Sequence, residues 1–209
     1  MAHGYFIPFA GGEGAGKTTL IAQIAHELTG LGYTVVRARE PGGTDLGEQI
    51  REILLHKKEM SPYAELALFL ASRAQHIAEV IGPALKNNYI VLCDRFNDSS
   101  IAYQGAARGL GMENVAAFCE FISQGLQPNL TFYLDVDPKA GLARALKDRP
   151  QDRIESEKLS FHEKIREEYL ILHHQNPKRL QLLDASKPPA DVCTEAMKYI
   201  HLLLKNTHV

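Results

Sequence analysis

Five short apolar runs rich in strand-forming residues recur along the chain, at residues 5 to 10, 33 to 38, 89 to 94, 130 to 136 and 179 to 185. The stretches between them carry apolar residues at helical spacing, which predicts helices over 16–30, 45–56, 62–87, 112–124, 138–147, 156–174 and 189–204. This alternation predicts an α/β fold, with a parallel sheet covered by helices on both faces, in a single domain over residues 1–209. Pro8 is out of place in the first run, because proline cannot donate to a sheet ladder.

Parallel strands end along one edge of a sheet, and ligands of open α/β sheets bind there. The loop behind the first predicted strand, "GGEGAGKTT", matches the pattern GxxxxGK[ST]. In this pattern backbone N–H groups surround phosphate oxygens, the lysine reaches the outer phosphates and the hydroxyl holds Mg²⁺. The start of the following helix directs its partial positive charge at the same anion. We therefore expect a nucleoside triphosphate at Gly11, Gly12, Glu13, Gly14, Ala15, Gly16, Lys17, Thr18 and Thr19.

Two further loops follow predicted strands. "REPGGT", residues 39 to 44, indicates by itself only a turn. Asp94 and Arg95 follow the third strand, where the acid can bind Mg²⁺ beside Thr18 and the arginine offers a planar fork to a phosphate. The alternative is a structural ion pair between Asp94 and Arg95.

A basic segment follows the fourth strand, with Arg144, Lys147, Arg149 and Arg153 separated by the helix-breaking Pro150. In phosphoryl transfer a protein chiefly positions groups and neutralises charge, so a cationic lid suits a kinase. We expect a lid at about 144–156, with Arg149 and Arg153 as its cations. A solvated pair of charged helices is the alternative.

Arg73 lies in the apolar stripe of the predicted helix over 62–87, four residues from Phe69 and four from Ile77. An arginine in such a stripe needs a partner, because burying its charge unpaired is costly. The partner is either a carboxylate, such as Glu65 or a more distant acid, or a ligand that accepts hydrogen bonds.

Composition excludes several classes of protein. A formal net charge of −2 disfavours a nucleic-acid polymer as a partner, and no apolar run approaches the length of a membrane span. The three cysteines are scattered and the first residues do not form a signal peptide, so we expect a cytoplasmic protein with no membrane partner. The nine histidines form no HExxH motif, and we expect them at the surface.

Taken together, "GGEGAGKTT", "REPGGT", "LFLASRAQH", "CDRF" with "SSIAYQG", and "DRIE" resemble the bacterial thymidylate kinase family over nearly the whole chain. The resemblance implies a three-layer P-loop NTPase fold with a five-stranded parallel sheet. It also implies transfer of a phosphoryl group from ATP, with Mg²⁺, to dTMP in dTTP synthesis. The family tends to form homodimers, so a homodimer is expected.

The resemblance also implies roles for single residues. Phe69 would stack on thymine, Arg73 would bind its carbonyl edge, Arg95 would bind the acceptor phosphate, and Tyr103 would crowd the sugar 2′ position. The remaining expected substrate residues are Glu13, Arg39, Glu40, Pro41, Ser99, Ser100 and Gln104. Arg144 is assigned to ATP, and the catalytic set is Lys17, Arg95, Arg149 and Arg153.

Two other functions compete with this one. A kinase for another nucleoside monophosphate, or for a deoxynucleoside, would share every phosphate-binding residue and differ only in the base pocket. A nucleotide-dependent switch would need a guanine-selecting NKxD motif, which the sequence lacks.

Overall fold

The computed structural model describes residues 4–57, 59–146 and 151–205. Its strands are β1 (Tyr5–Gly11), β2 (Val35–Arg39), β3 (Ile90–Asp94), β4 (Thr131–Asp135) and β5 (Leu180–Asp184). They form one five-stranded sheet in the order β2-β3-β1-β4-β5, and every pairing is parallel. The predicted α/β fold with a parallel sheet is confirmed.

Helices cover both faces of the sheet. They are α1 (Lys17–Gly30), α2 (Asp45–His56), α3 (Pro62–His76), α4 (Gly82–Lys86), α5 (Asn97–Ser100), α6 (Met112–Ser123), α7 (Pro138–Ala145), α8 (Leu159–Gln175) and α9 (Pro189–Lys205). Two π-helical segments, Ile77–Ile81 and Ile101–Ala107, continue α3 and α5. The helix predicted over 62–87 is therefore one run with a π segment inside it.

Two apolar layers hold the helices to the sheet. Ile7 and Phe9 of β1 face a cluster shared with α1 and α9, in which Ile24 and Ala196 are fully buried. On the other face, Tyr133 of β4 stacks on Tyr169 of α8 with 4.4 Å between ring centroids. Burial of apolar surface on both sides stabilises the sheet and places all the strand ends at one edge.

The sheet accommodates Pro8 through the alternation of its hydrogen-bonding directions. Phe6 faces the β4 side, where its N–H donates to Asn129 Oδ1 (2.8 Å) and its carbonyl accepts from Asn129 N–H (3.0 Å). Pro8 follows two residues later and so faces the same side, where pairing with β4 begins only at Phe9. Because Pro8 precedes the first residue paired with β4, its missing N–H removes no hydrogen bond from the β1–β4 pairing.

Candidate active site

The loop behind β1 turns tightly into α1. Gly14 (φ 67°) and Gly16 (φ 89°) adopt left-handed backbone angles that favour glycine. A Cβ on Gly14 would lie 2.0 Å from the carbonyl oxygen of Gly141 on α7, so this loop and α7 pack backbone to backbone. Lys17 begins α1 and is buried, and its Nζ donates to the carbonyls of Gly11 and Gly12, each at 3.1 Å.

A cavity opens over this loop, which we call the phosphate-loop cavity. Its lining comprises Glu13, Gly14, Ala15, Gly16, Lys17, Thr18, Thr19, Arg39, Glu40, Arg51, Asp94, Arg95, Arg144 and Ala145. It brings the two predicted metal ligands, Thr18 and Asp94, into one space. Asp94 Oδ1 is buried and has no hydrogen-bond partner in the described part of the chain. A buried, unpaired carboxylate oxygen in the same cavity as a hydroxyl fits a divalent cation.

A second cavity, which we call the inner cavity, lies between the end of β3, α2, α3, α5 and the π segment Ile101–Ala107. It is lined by Glu13, Glu40, Pro41, Arg51, Leu55, Phe69, Arg73, Arg95, Ser99, Ser100, Tyr103, Gln104, Asp152 and Ile154. All the predicted substrate residues lie in this lining except Arg39, which pairs with Glu48 at 2.6 Å at the surface. Glu13, Glu40, Arg51 and Arg95 line both cavities.

Arg95 lies where the two cavities meet. Its φ of 74° is in the left-handed region, and its guanidinium carbon lies 4.7 Å from the centre of the Tyr103 ring. Nη2 donates to Glu13 Oε1, which also accepts from the Tyr103 hydroxyl at 3.2 Å. Nη1 is buried without a hydrogen-bond partner among the described residues. A buried donor of this kind at a cavity wall fits an anionic ligand.

Glu13 remains a carboxylate in this setting. Burial alone would raise its pKa, but the positive charges of Arg95 and Lys17 and the Tyr103 hydrogen bond outweigh burial and lower the pKa. Glu13 therefore fixes Arg95 and Tyr103 relative to the phosphate loop.

Arg73 is fully buried, with 1% of its surface exposed, and its partner within the protein is a carboxylate. Nε donates to Glu40 Oε2 at 2.7 Å, Nη2 donates to Ser100 Oγ at 3.1 Å, and Nη1 approaches Cys119 Sγ at 3.4 Å. Glu65, the acid of α3 considered as a partner for Arg73, pairs instead with Arg108 and Arg153. Arg73 nevertheless lines the inner cavity beside Phe69.

The two expected lid cations have different places. Arg153 donates from Nε to the Leu54 carbonyl at 2.9 Å, and its Nη1 lies 2.6 Å from Glu65 Oε2. These bonds direct Arg153 to α2 and α3, and it is not part of the phosphate-loop cavity lining. Arg149 lies outside the described residues. Arg144 on α7 lines the phosphate-loop cavity and donates from Nη1 to the Ala185 carbonyl at 3.0 Å.

Sequence reasoning missed four residues of the inner cavity: Arg51, Leu55, Asp152 and Ile154. Arg51 donates from Nη1 to the Pro41 carbonyl at 2.9 Å and is the most consequential, because it adds a cation shared by both cavities. The only signal for Asp152 and Ile154 was their position in "DRIE". The expectation of surface histidines is wrong for His76 and His162, which are 0% and 5% exposed because helix packing covers them.

Comparisons with known proteins agree with this geometry. A family model described as thymidylate kinase matches residues 9–196. The chain is 48% identical over 207 residues to a thymidylate kinase of Protochlamydia amoebophila, covering 94% of this chain and 92% of that protein. It is 45% identical to a thymidylate kinase of Bacillus pumilus, with 99% of each chain covered.

The fold is similar to a crystal structure of thymidylate kinase from Ehrlichia chaffeensis. The TM-score is 0.78 at 30% sequence identity, and the match covers 94% of this chain and 98% of that one. The family model extends over the phosphate loop, the inner cavity, the end of β1 and all of β2 to β5. This chain belongs to the thymidylate kinase family.

Proposed function

We propose that this protein transfers the γ-phosphoryl group of ATP to dTMP, giving ADP and dTDP for dTTP synthesis. The observation that carries the proposal is the meeting of two cavities at Glu13, Glu40, Arg51 and Arg95. One cavity has the chemistry of a triphosphate site and the other that of a nucleoside monophosphate site. Their junction is where the two phosphate groups would meet.

The phosphate-loop cavity is the donor site. Lys17 and the N–H groups at the start of α1 bind the outer phosphates of ATP, and Arg144 contributes a further cation from α7. Thr18 and Asp94 would hold the magnesium ion, which supplies charge neutralisation on the triphosphate. The orphaned Asp94 Oδ1 supports this assignment.

The inner cavity is the acceptor site. Phe69 provides an aromatic face for the base, and Arg73 and Ser100 provide polar groups beside it. Tyr103, fixed by its hydrogen bond to Glu13, lies against the sugar. The unpaired Nη1 of Arg95 binds the acceptor phosphate, which places an attacking oxygen at the junction with the donor site.

Transfer follows from this arrangement. A phosphate oxygen of dTMP forms a bond to the γ-phosphorus while the bond from that phosphorus to the β–γ bridging oxygen breaks, and ADP leaves. A phosphate nucleophile is already ionised at neutral pH, so the protein chiefly aligns the groups and neutralises charge. Lys17, Arg51 and Arg95 surround the reacting phosphates, and a lid cation completes the charge. We assign the lid cation to Arg149, since Arg153 is engaged by Glu65 and Leu54.

A product assay tests the proposal. Protein, ATP, Mg²⁺ and dTMP should yield ADP and dTDP in a 1:1 ratio, and omission of dTMP should reduce ADP formation to a low background. ADP and inorganic phosphate without dTDP would point to a nucleotide switch. Turnover with a different monophosphate in place of dTMP would point to another kinase.

We also propose a homodimer in the cytoplasm. On α6, Phe118 and Phe121 expose 56% and 79% of their surface, and Tyr63 on the neighbouring α3 exposes 75%. Exposed aromatic residues on two adjacent helices are typical of a protein interface, and a second copy of the chain is the occupant that the family resemblance implies. Cys93, Cys119 and Cys193 are free buried thiols, which suits a reducing compartment. No helix in the described ranges is long and apolar enough to span a membrane.

A further inference from the structure

Three polar side chains on one turn of α3, Ser72, Arg73 and His76, are buried at 0%, 1% and 0% exposure. All three contact the loop that follows β2. Ser72 Oγ accepts from Gly42 N–H at 3.2 Å, while Arg73 and His76 contact the two oxygens of Glu40. This turn therefore holds the loop in place with three polar contacts.

The contact between His76 and Glu40 determines which imidazole nitrogen donates to the carboxylate. Glu40 pairs with Arg73 as a carboxylate, which only accepts hydrogen bonds, so the proton must lie on His76 Nδ1, 3.3 Å from Glu40 Oε1. The other ring nitrogen, His76 Nε2, is buried with no hydrogen-bond partner within the described ranges. Nε2 packs closely against Gly43: a Cβ atom added to Gly43 would lie 2.8 Å from it. The hydrogen bond that this buried imidazole makes is therefore the one from Nδ1 to Glu40.

We propose that His76 is a positioning residue for base recognition, acting through Glu40 on Arg73. Arg73 Nε donates to Oε2 of Glu40 and His76 Nδ1 donates to Oε1, so the carboxylate cannot rotate about its terminal bond. The fixed carboxylate sets the plane of the Arg73 guanidinium, whose edge lines the inner cavity. This inference rests on the role proposed above for Arg73 in contacting the base.

A metal ion is a weaker explanation of the same cluster. Glu40, His76 and Cys93 offer ligand atoms within 4.8 Å of one another. A cation there would lie beside the Arg73 guanidinium and would need the Cys93 thiolate. Burial and the charges of Glu40 and Asp94 raise the pKa of that thiol well above its usual value, against the opposing effect of Arg73. The pairing with Arg73 therefore satisfies Glu40 better than a metal would.

Substitution of His76 should change the binding of dTMP in the inner cavity and leave the binding of ATP nearly unchanged. In His76→Leu the Glu40 carboxylate keeps one partner and is free to rotate, so the Arg73 donors lose their alignment. Because hydrogen bonds to charged groups contribute substantially, we expect KM for dTMP to rise about 10-fold or more while KM for ATP stays within about 2-fold. His76→Asn places an amide N–H near the position of Nδ1 and should restore most of the affinity, whereas His76→Gln places its amide near Nε2 and should not.

The test is a double-mutant cycle on the full chain with His76→Leu, Arg73→Ala and both together, with Gln75→Leu as the matched control. Gln75 lies on the same helix, but its amide bonds Glu79 at the surface. If His76 acts through Arg73, then His76→Leu should change KM for dTMP by less than about 2-fold in the Arg73→Ala background. Should His76→Leu fail to fold, the comparison of His76→Asn with His76→Gln decides the question.

The results separate this inference from the proposed function. A rise in KM for dTMP with His76→Leu, rescue by His76→Asn and non-additivity with Arg73→Ala would support it. Equal changes in KM for both substrates, or full additivity, would overturn it, as would a loss with Arg73→Ala that His76→Leu does not share. An Arg73→Ala protein with unchanged kcat/KM for dTMP would overturn base recognition by Arg73 and this inference with it.

Discussion

Arg95 combines an unfavourable backbone with a well-defined side chain. A non-glycine residue in the left-handed region costs about 1 kcal/mol or more, and such residues persist only where the surroundings fix them. Here the N–H of Arg95 donates to the Phe9 carbonyl at 2.8 Å and its guanidinium is fixed by Glu13 and Tyr103. This conformation directs a charged donor to the place where the two cavities meet, which suits the role proposed for Arg95 in binding the acceptor phosphate.

The sequence revealed a functional residue where a polar side chain interrupted an apolar pattern. Arg73 stood out because an arginine interrupted an apolar stripe, but its partner Glu40 lies 33 residues away on another element, and no local pattern connects them. Arg51 gave no signal, because a basic residue on an amphipathic helix is typical of a solvated face. Only tertiary packing turns that face towards the cavities.

At Lys17, we expect Lys17→Ala to lower kcat by about 100- to 1000-fold, because a buried cation on the transferring phosphate is lost. Affinity for dTMP should change little, since Lys17 does not line the inner cavity. Steady-state kinetics with dTMP titration by calorimetry measures both, and Lys139→Ala on the exposed start of α7 is the control. A loss of dTMP affinity as large as the loss of rate, in a folded variant, would contradict the separation of the two sites.

Among the elements, the five strands and the long helices followed their periodicity closely, because each buries a continuous apolar face. The segment over 97–107 was not predicted as helical, since its serines and glycine at the sequence "NDSSIAYQGAA" carry no helical apolar pattern. It is helical because it packs against α6 and α8. This π-helical segment also supplies Tyr103 and Gln104 to the inner cavity.

Glu65 joins α3 and the end of the π segment Ile101–Ala107 to the segment that precedes α8. It is 1% exposed and accepts from Gln104 at 2.8 Å, from Arg108 at 3.1 Å and 3.2 Å, and lies 2.6 Å from Arg153 Nη1. Through Arg153, this carboxylate holds the chain beside Asp152 and Ile154, which line the inner cavity. Glu65 therefore connects fold stability to the acceptor site.

We expect Glu65→Gln to lower the free energy of unfolding by about 3 to 5 kcal/mol, because two arginines lose a buried partner. Burial alone would raise the Glu65 pKa, but hydrogen bonds from Gln104 and Arg108 and the Arg108 charge lower it below the usual value. A depressed folded-state pKa contributes stability above the unfolded pKa that is lost as pH falls through the folded one. Denaturant titrations at pH 7 and at lower pH measure this, with the exposed Glu163→Gln as control. An undiminished gap between wild type and Glu65→Gln well below pH 4 would contradict the account.

Substitution of the two arginines of the lid segment should produce two different defects, one in catalysis and one in stability. Arg149→Ala should lower kcat by about 1000-fold, since a lid cation acts on transition-state charge. Arg153→Ala should mainly lower the melting temperature and raise KM for dTMP, since Arg153 binds Glu65 and Leu54. Kinetics and thermal melts on both variants decide this. Near-normal kcat in Arg149→Ala would refute the lid assignment.

For the whole molecule, the exposed aromatics of α6 bear on assembly. A single Phe121→Asp substitution should convert the protein to a monomer, because it places a charge in the centre of an apolar contact. Light scattering after size exclusion measures the mass in solution. Leu202→Asp, at an exposed apolar position on α9, is the matched control and should leave the mass unchanged. A wild-type protein that is already monomeric would refute the proposed dimer.

Fold and family follow from the whole chain, whereas the substrate depends on a few groups in one cavity. In the proposed function, the inner cavity accepts dTMP and recognises the carbonyl edge of thymine through Arg73. Cytosine presents an amino group where thymine presents a carbonyl oxygen, so the Arg73 donors would meet another donor.

The most direct measurement is kcat/KM for dTMP, dCMP, dGMP and dAMP with saturating ATP and Mg²⁺. A site built to hydrogen-bond one base rejects others strongly, so dTMP should exceed each of the other three by about 100-fold or more. Arg73→Ala should reduce kcat/KM for dTMP by about 10- to 150-fold, as expected for the loss of a charged donor. The ratio of kcat/KM for dTMP to kcat/KM for dCMP should fall in this variant. Equal or higher kcat/KM for dCMP, dGMP or dAMP in the wild-type protein would contradict the assignment of the inner cavity to dTMP.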